Sequence, residues 1–120
     1  MKISEKHNQR VASMLFALVY SAYAVKVERK GKTKEDLDVV IKWLTGFDKK
    51  KIQEFIKEEV TLETFFKKAT LNPKAHLITG VICGYRIEEI ENPLTKKVRY
   101  LDKLVDELAK GRALDKILRK

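Results

Sequence analysis

The sequence holds only one cysteine, two prolines and five glycines among its 120 residues. A single thiol, Cys83, closes no internal disulfide and anchors no zinc framework, so a hydrophobic core has to hold the fold. It sits in an apolar run and reads as a small buried hydrophobe. So few prolines and glycines leave little room for long irregular loops. The phosphate-cradling glycine loop, the dinucleotide fingerprint, the zinc-protease helix and the serine-nucleophile elbow are all missing. His7 and His76 lie far apart and neither has a partner at ligand spacing, so no metal or cofactor is expected. No apolar run reaches the roughly 20 residues of a membrane span. One cysteine and no membrane segment point to a soluble cytoplasmic protein.

Charge is abundant. The net charge is +9, from 26 basic and 17 acidic side chains. The excess is spread evenly, with 13 basic and 9 acidic groups in residues 1–60 and 13 and 8 in residues 61–120. That excludes a basic tail of the kind that wraps nucleic acid. Three local clusters remain: Lys26, Arg29, Lys30, Lys32 and Lys34; Lys49, Lys50 and Lys51; and Lys110, Arg112, Lys116, Arg119 and Lys120. Solvated helix ends explain them most simply, and the first cluster is also a candidate phosphate-binding patch.

Helical punctuation is dense. Val11 to Val25 carries no charge and has the outline of a secretory signal, but Glu5, Asn8 and Gln9 spoil the basic lead-in. It reads instead as a core helix running to Lys30-Gly31. On a wheel it has an aliphatic stripe (Val11, Leu15, Leu18, Ala22, Val25), an aromatic one (Phe16, Tyr20, Tyr23) and a ridge of small residues (Ser13, Ala17, Ser21, Ala24). A helix apolar on nearly all sides belongs at a domain centre. Thr33, Asp48 and Thr61 then read as N-caps of three further helices, and Gly46 as a C-cap. Asn72-Pro73 and Asn92-Pro93 are two more start signals, asparagine at N-cap and proline at N1. The run Leu77–Gly84 suits a short strand by its β-branched residues and a helix by the preceding cap; the helix is preferred. Pro93 to Lys110 is the clearest helix, closed by Gly111, with a short one after it.

The densest carboxylates are Glu88, Glu89 and Glu91, beside Arg86. They suit an acid–base pair or a divalent cation, and they equally suit a helix start, where an anion is favoured. Tyr85, Arg86, Glu88, Glu89, Arg99, Tyr100, Asp102 and Lys103 form one candidate polar cluster if the connector folds back onto the long helix.

Six segments occur together in one order: Trp43–Phe47, Glu63–Phe66, Leu71–Pro73, Ile78–Gly84, Arg86–Glu91 and Arg99–Leu104. In them the chain resembles the bacterial domain-of-unknown-function family 2200, from about Asn8 to Lys120. Ser21 stands where that family commonly has proline, which leaves the first helix free to run on. Asn92 stands where it commonly has aspartate, which keeps the cap and removes a charge. The resemblance implies a small stand-alone bacterial protein and brings no catalytic residue, cofactor or partner.

The expectation is therefore one domain over residues 1–120, all-α with five or six helices, the alternative being a small α+β fold with a strand around 77–87. The functional expectation is a non-enzymatic binding or interaction module for a protein or nucleic-acid partner, a homodimer included. The alternative is an enzyme that uses the Arg86/Glu88/Glu89/Tyr100 region.

Overall fold

The computed structural model describes residues 3–119; Lys2 and Lys120 of the basic segments lie outside them. The fold is all-α. Among the described residues seven helices follow one another: α1 (Glu5–Ser13), α2 (Phe16–Glu28), α3 (Lys34–Thr45), α4 (Lys49–Lys57), α5 (Leu62–Lys68), α6 (Pro93–Ala109) and α7 (Leu114–Ile117). Between α5 and α6 lies a small antiparallel hairpin, β1 (Val81–Ile82) and β2 (Tyr85–Arg86), with a 3-10 turn on each side.

The caps act as the sequence proposes. Thr33 and Asp36 form a reciprocal capping box, Asp48 and Thr61 accept from the backbone three residues on, and Asn92 accepts from Thr95 with Pro93 at N1. Gly46, at φ +80°, terminates α3 in the left-handed region.

Two segments differ from expectation. The Val11–Val25 helix is broken at Met14-Leu15, whose backbone is extended. No proline or glycine causes this. Met14 and Leu15 pair strand-like with the α4–α5 connection: Leu15 bridges Thr61, the Phe16 N–H donates to Val60 O (2.9 Å) and the Leu62 N–H to Met14 O (2.8 Å). Beyond the break α2 runs on through Ser21 without interruption.

The second difference lies after Asn72-Pro73. Asn72 Oδ1 accepts the Lys74 N–H (2.8 Å), only a 3-10 turn (Ala75–Leu77) with Lys74 at its N-cap follows, and the preferred helix to Gly84 does not form. Gly80 adopts φ +103°, which ends any helix, and Cys83 and Gly84 take φ +53° and +80° at the tip of the hairpin. Two consecutive left-handed residues between paired Ile82 and Tyr85 make a type I′ turn, whose twist matches the strands. Cys83 is consequently exposed at the tip and does not fill the core.

The core has an aromatic end and an aliphatic middle. All five phenylalanines converge on Phe65, which stacks on Phe16 at 4.1 Å and meets Phe47, Phe55 and Phe66 edge-on within 5.6 Å. Helix α6 runs beneath α1, α2, α3, α5 and α7, burying Val98, Leu101, Leu104, Val105 and Leu108. Two buried phenol–carboxylate bonds fasten α2 to its neighbours: Tyr20 to Asp38 on α3 (2.7 Å) and Tyr23 to Asp102 on α6. These fix which side of α2 faces in. Phe16, Val19, Tyr20, Tyr23, Ala24 and Val27 are buried, so of the aliphatic stripe Leu18, Ala22 and Val25 are left facing out, while Leu15 is half-buried and Val11, on α1, is buried. The small-residue ridge does not act as a helix-packing seam, since Ser13 and Ser21 are exposed.

Candidate functional site

Parallel packing of α2 and α6 brings the chemistry of this chain to one side. Tyr23 faces Asp102, and one turn further Lys26 faces Asp106. Asp102 accepts the Tyr23 hydroxyl on Oδ1 and the Arg99 guanidinium on Oδ2, the latter at 2.7 Å. Arg99 reaches in turn to His7 Nε2 on α1 (3.1 Å), and its guanidinium lies 5.7 Å from the ring centre of Tyr85 on β2. An arginine can only donate, so His7 accepts at Nε2 and carries its proton on Nδ1. Arg99 Nε is buried without a hydrogen-bond partner. The Tyr23 phenol is pushed well above its usual 10.0, first by burial and then by the charge and hydrogen bond of Asp102. It therefore stays a donor at neutral pH.

The eight residues of the sequence-derived cluster separate into four groups. Tyr85, Arg99 and Asp102 come together as described, joined by His7 and Tyr23, which sequence reasoning missed. Tyr23 and Asp102 are 79 residues apart and nothing in either's neighbourhood signals the other. Lys103 turns to the hairpin and donates to Val81 O at 3.2 Å. Arg86, Glu88 and Glu89 lie at the surface, where Arg86 stands 3.9 Å from Glu88 and 3.8 Å from Glu89 with all three about half exposed. Glu88 also accepts the Gly80 N–H (2.8 Å), which holds its pKa below the usual glutamate value. Tyr100 is buried, and burial raises its phenol pKa. Arg86, Glu88, Glu89 and Tyr100 thus form no common constellation.

The basic cluster is divided as well. Lys26 joins Lys110 on Asp106, whereas Arg29, Lys30, Lys32 and Lys34 are without an ion pair among the described residues. Burial acts to raise the pKa of Asp106, but hydrogen bonds from Lys110 and Lys26 outweigh it and hold the carboxyl below the usual 3.8. With the folded-state value the lower, the stability from this triad is complete above the unfolded value and is lost as pH falls through the folded one. Urea unfolding at a series of pH values checks this. Asp106→Asn is expected to be less stable than the parent at neutral pH and to lose that deficit as pH falls through the lowered folded-state pKa of Asp106.

Beside the Tyr23–Asp102 pair runs a surface groove of about 300 Å³. Its walls are Met14, Leu15, Leu18 and Ala22, with Tyr23 and Asp102 along one edge. Met14, Leu18 and Val25 are 45%, 68% and 48% exposed, although α2 has no charged residue before Lys26. Among the described residues no group of three or more His, Cys, Asp or Glu side chains could hold a metal ion, and no helix is long and apolar enough to cross a membrane.

Comparison with known proteins agrees with this architecture. The crystal structure of the uncharacterized protein SP1917 superposes with a TM-score of 0.88 at 43% identity, covering 98% of this chain and 94% of that one. No curated protein matches the chain. The model of domain-of-unknown-function family 2200, described as an uncharacterized protein conserved in bacteria, matches residues 10–119. The chain belongs to that family.

Proposed function

We propose that the protein is a non-enzymatic interaction module that docks a protein partner on the outer side of α2. One observation carries this reading: α2 has no charged residue before Lys26, and one of its apolar sides is uncovered. Such a helix is ordinarily enclosed, and a contiguous exposed apolar strip on a small protein usually marks a contact surface. The groove between Met14, Leu18 and Ala22 offers a recess for an anchoring side chain. The strip favours protein over nucleic acid, because phosphates need cations along the whole contact and here cations stand only at one end. Arg86, Glu88 and Glu89 lean on one another at the surface while Tyr100 is buried elsewhere, which favours binding over catalysis. A reducing cytoplasm suits the exposed thiol of Cys83.

Site-directed photocrosslinking in the native host tests the reading. A benzophenone amino acid replacing Leu18 is expected to give one discrete adduct with a protein other than this chain. That adduct should vanish in a Val25→Glu background and be absent when the probe replaces Lys50 on α4. No adduct at position 18, or the same adducts from both positions, would overturn the proposal.

A further inference from the structure

The strip on α2 does not end in neutral surface. By helical spacing Leu18, Ala22 and Val25 are followed by Arg29, four residues beyond Val25, while Lys26 stands four beyond Ala22. Arg29, Lys30 and Lys32 are exposed or partly exposed and make no ion pair among the described residues. Lys26 keeps 46% of its side chain exposed while touching Asp106 at 3.2 Å. Asp102, the one acid lining the groove, is already occupied by Arg99 and Tyr23. The surface is thus apolar along α2 and mainly cationic at its C-terminal end, where Lys26, Arg29, Lys30 and Lys32 outnumber the exposed Glu28.

From this we infer that the occupant is an amphipathic helix of a partner protein, carrying acidic residues at the end that lies over Lys26, Arg29 and Lys30. The inference rests on the docking reading above and specifies the partner's chemistry. Helix α2 is 13 residues long, about 20 Å at 1.5 Å per residue, which matches three to four turns of a second helix laid along it. The recess lined by Met14, Leu18 and Ala22 receives a side chain of that helix, the ordinary way one helix packs in another's groove. Charge decides the rest. A second copy of this chain would bring +9 against +9, whereas an acidic partner is drawn in by the same field. A membrane surface fits less well. An interfacial helix carries cations on both flanks along its length, and here they are gathered at one end of a concave strip.

Two labelled peptides of one leucine–alanine amphipathic pattern, with glutamate or lysine at every polar position, serve as probes in fluorescence anisotropy at physiological salt. The glutamate peptide is expected to bind at least about tenfold more tightly than the lysine peptide. Lys26→Glu/Arg29→Glu should reverse that preference. Leu18→Glu, at a position 68% exposed and so harmless to folding, should abolish binding of both. Equal binding, a preference for lysine, or no binding of either peptide would overturn the acidic-helix inference. If Val25→Glu still abolishes the in-cell adduct from position 18 in those cases, the docking reading stands without it. If Leu18→Glu leaves peptide binding unchanged and Val25→Glu leaves the adduct unchanged, both fall. Co-sedimentation with phosphatidylglycerol vesicles that Leu18→Glu abolishes would overturn the inference in favour of a lipid surface. Self-association in the ultracentrifuge with the same sensitivity would overturn it in favour of a second copy.

Discussion

Phe65→Ala is expected to cost about 4 kcal/mol of folding stability, the largest loss of any single truncation in this core. Phe65 is fully buried and is the ring that the other four phenylalanines share. Truncation removes the transfer energy of the ring and leaves a void that rigid aromatic neighbours cannot refill, so the cavity term adds in full. The four rings packed on Phe65 come from separate stretches of the chain: Phe16 on α2, Phe47 before α4, Phe55 on α4 and Phe66 on α5 itself. Helix α5 is only seven residues long and has little stability of its own, so its docking depends on this ring. Since domains of this size hold about 5–15 kcal/mol in total, the variant should be marginal at growth temperature. Urea unfolding monitored by circular dichroism measures it, with Phe65→Leu as the control expected to lose clearly less. A loss below about 1 kcal/mol for Phe65→Ala would mean that the cluster repacks and that Phe65 is not its hub.

Local chemistry explains which parts of this architecture are readable in the sequence. Thr33, Asp48, Thr61 and Asn92 cap helices because their side-chain oxygens satisfy backbone donors three residues on, a requirement met within a single turn. The hairpin is also local chemistry, and there the cap at Asn72 proved the weaker signal. Two residues with positive φ at Cys83-Gly84, together with Gly80, outweigh a good helix start several residues upstream. The break at Met14-Leu15 has no local cause. It comes from backbone pairing with Val60–Leu62, and no window around Met14 contains that information. The orientation of α2 is non-local for the same reason. A helix apolar on all sides does not say which side is buried; Asp38 and Asp102, by receiving Tyr20 and Tyr23, decide it. The polar cluster was therefore half legible. Arg99 and Asp102 are helix neighbours one turn apart, whereas His7 and Tyr23 reach them only through the fold.

Asp102→Ala is expected to destabilise the protein by about 2–4 kcal/mol, below the loss usual when one member of a fully buried ion pair is removed, because the two side chains are 12% and 16% exposed. The side chain of Arg99 is only 12% exposed, and its Nε is already without a partner. Without the carboxylate its charge keeps only the His7 nitrogen and the face of Tyr85, neither of which neutralises it. The Tyr23 hydroxyl loses its acceptor in the same substitution, adding the cost of a buried donor left unsatisfied. Asp102→Asn separates the two effects, because an amide oxygen still receives the phenol while the charge is gone; it should fall between parent and alanine variant. Arg99→Leu combined with Asp102→Leu should recover part of the loss, since two apolar side chains need no compensating charge where the pair is largely withdrawn from solvent. A single-variant cost under about 1 kcal/mol, or no recovery in the double variant, would show that water enters and screens the pair. The position of Asp102 also governs how the binding surface can be tested. It lines the apolar groove and simultaneously holds α2 against α6, so a binding defect in an Asp102 variant would report a tilted helix as readily as a missing contact. Leu18 carries no such double duty: its side chain stands in solvent, and its replacement alters the surface while the bolts behind it stay in place.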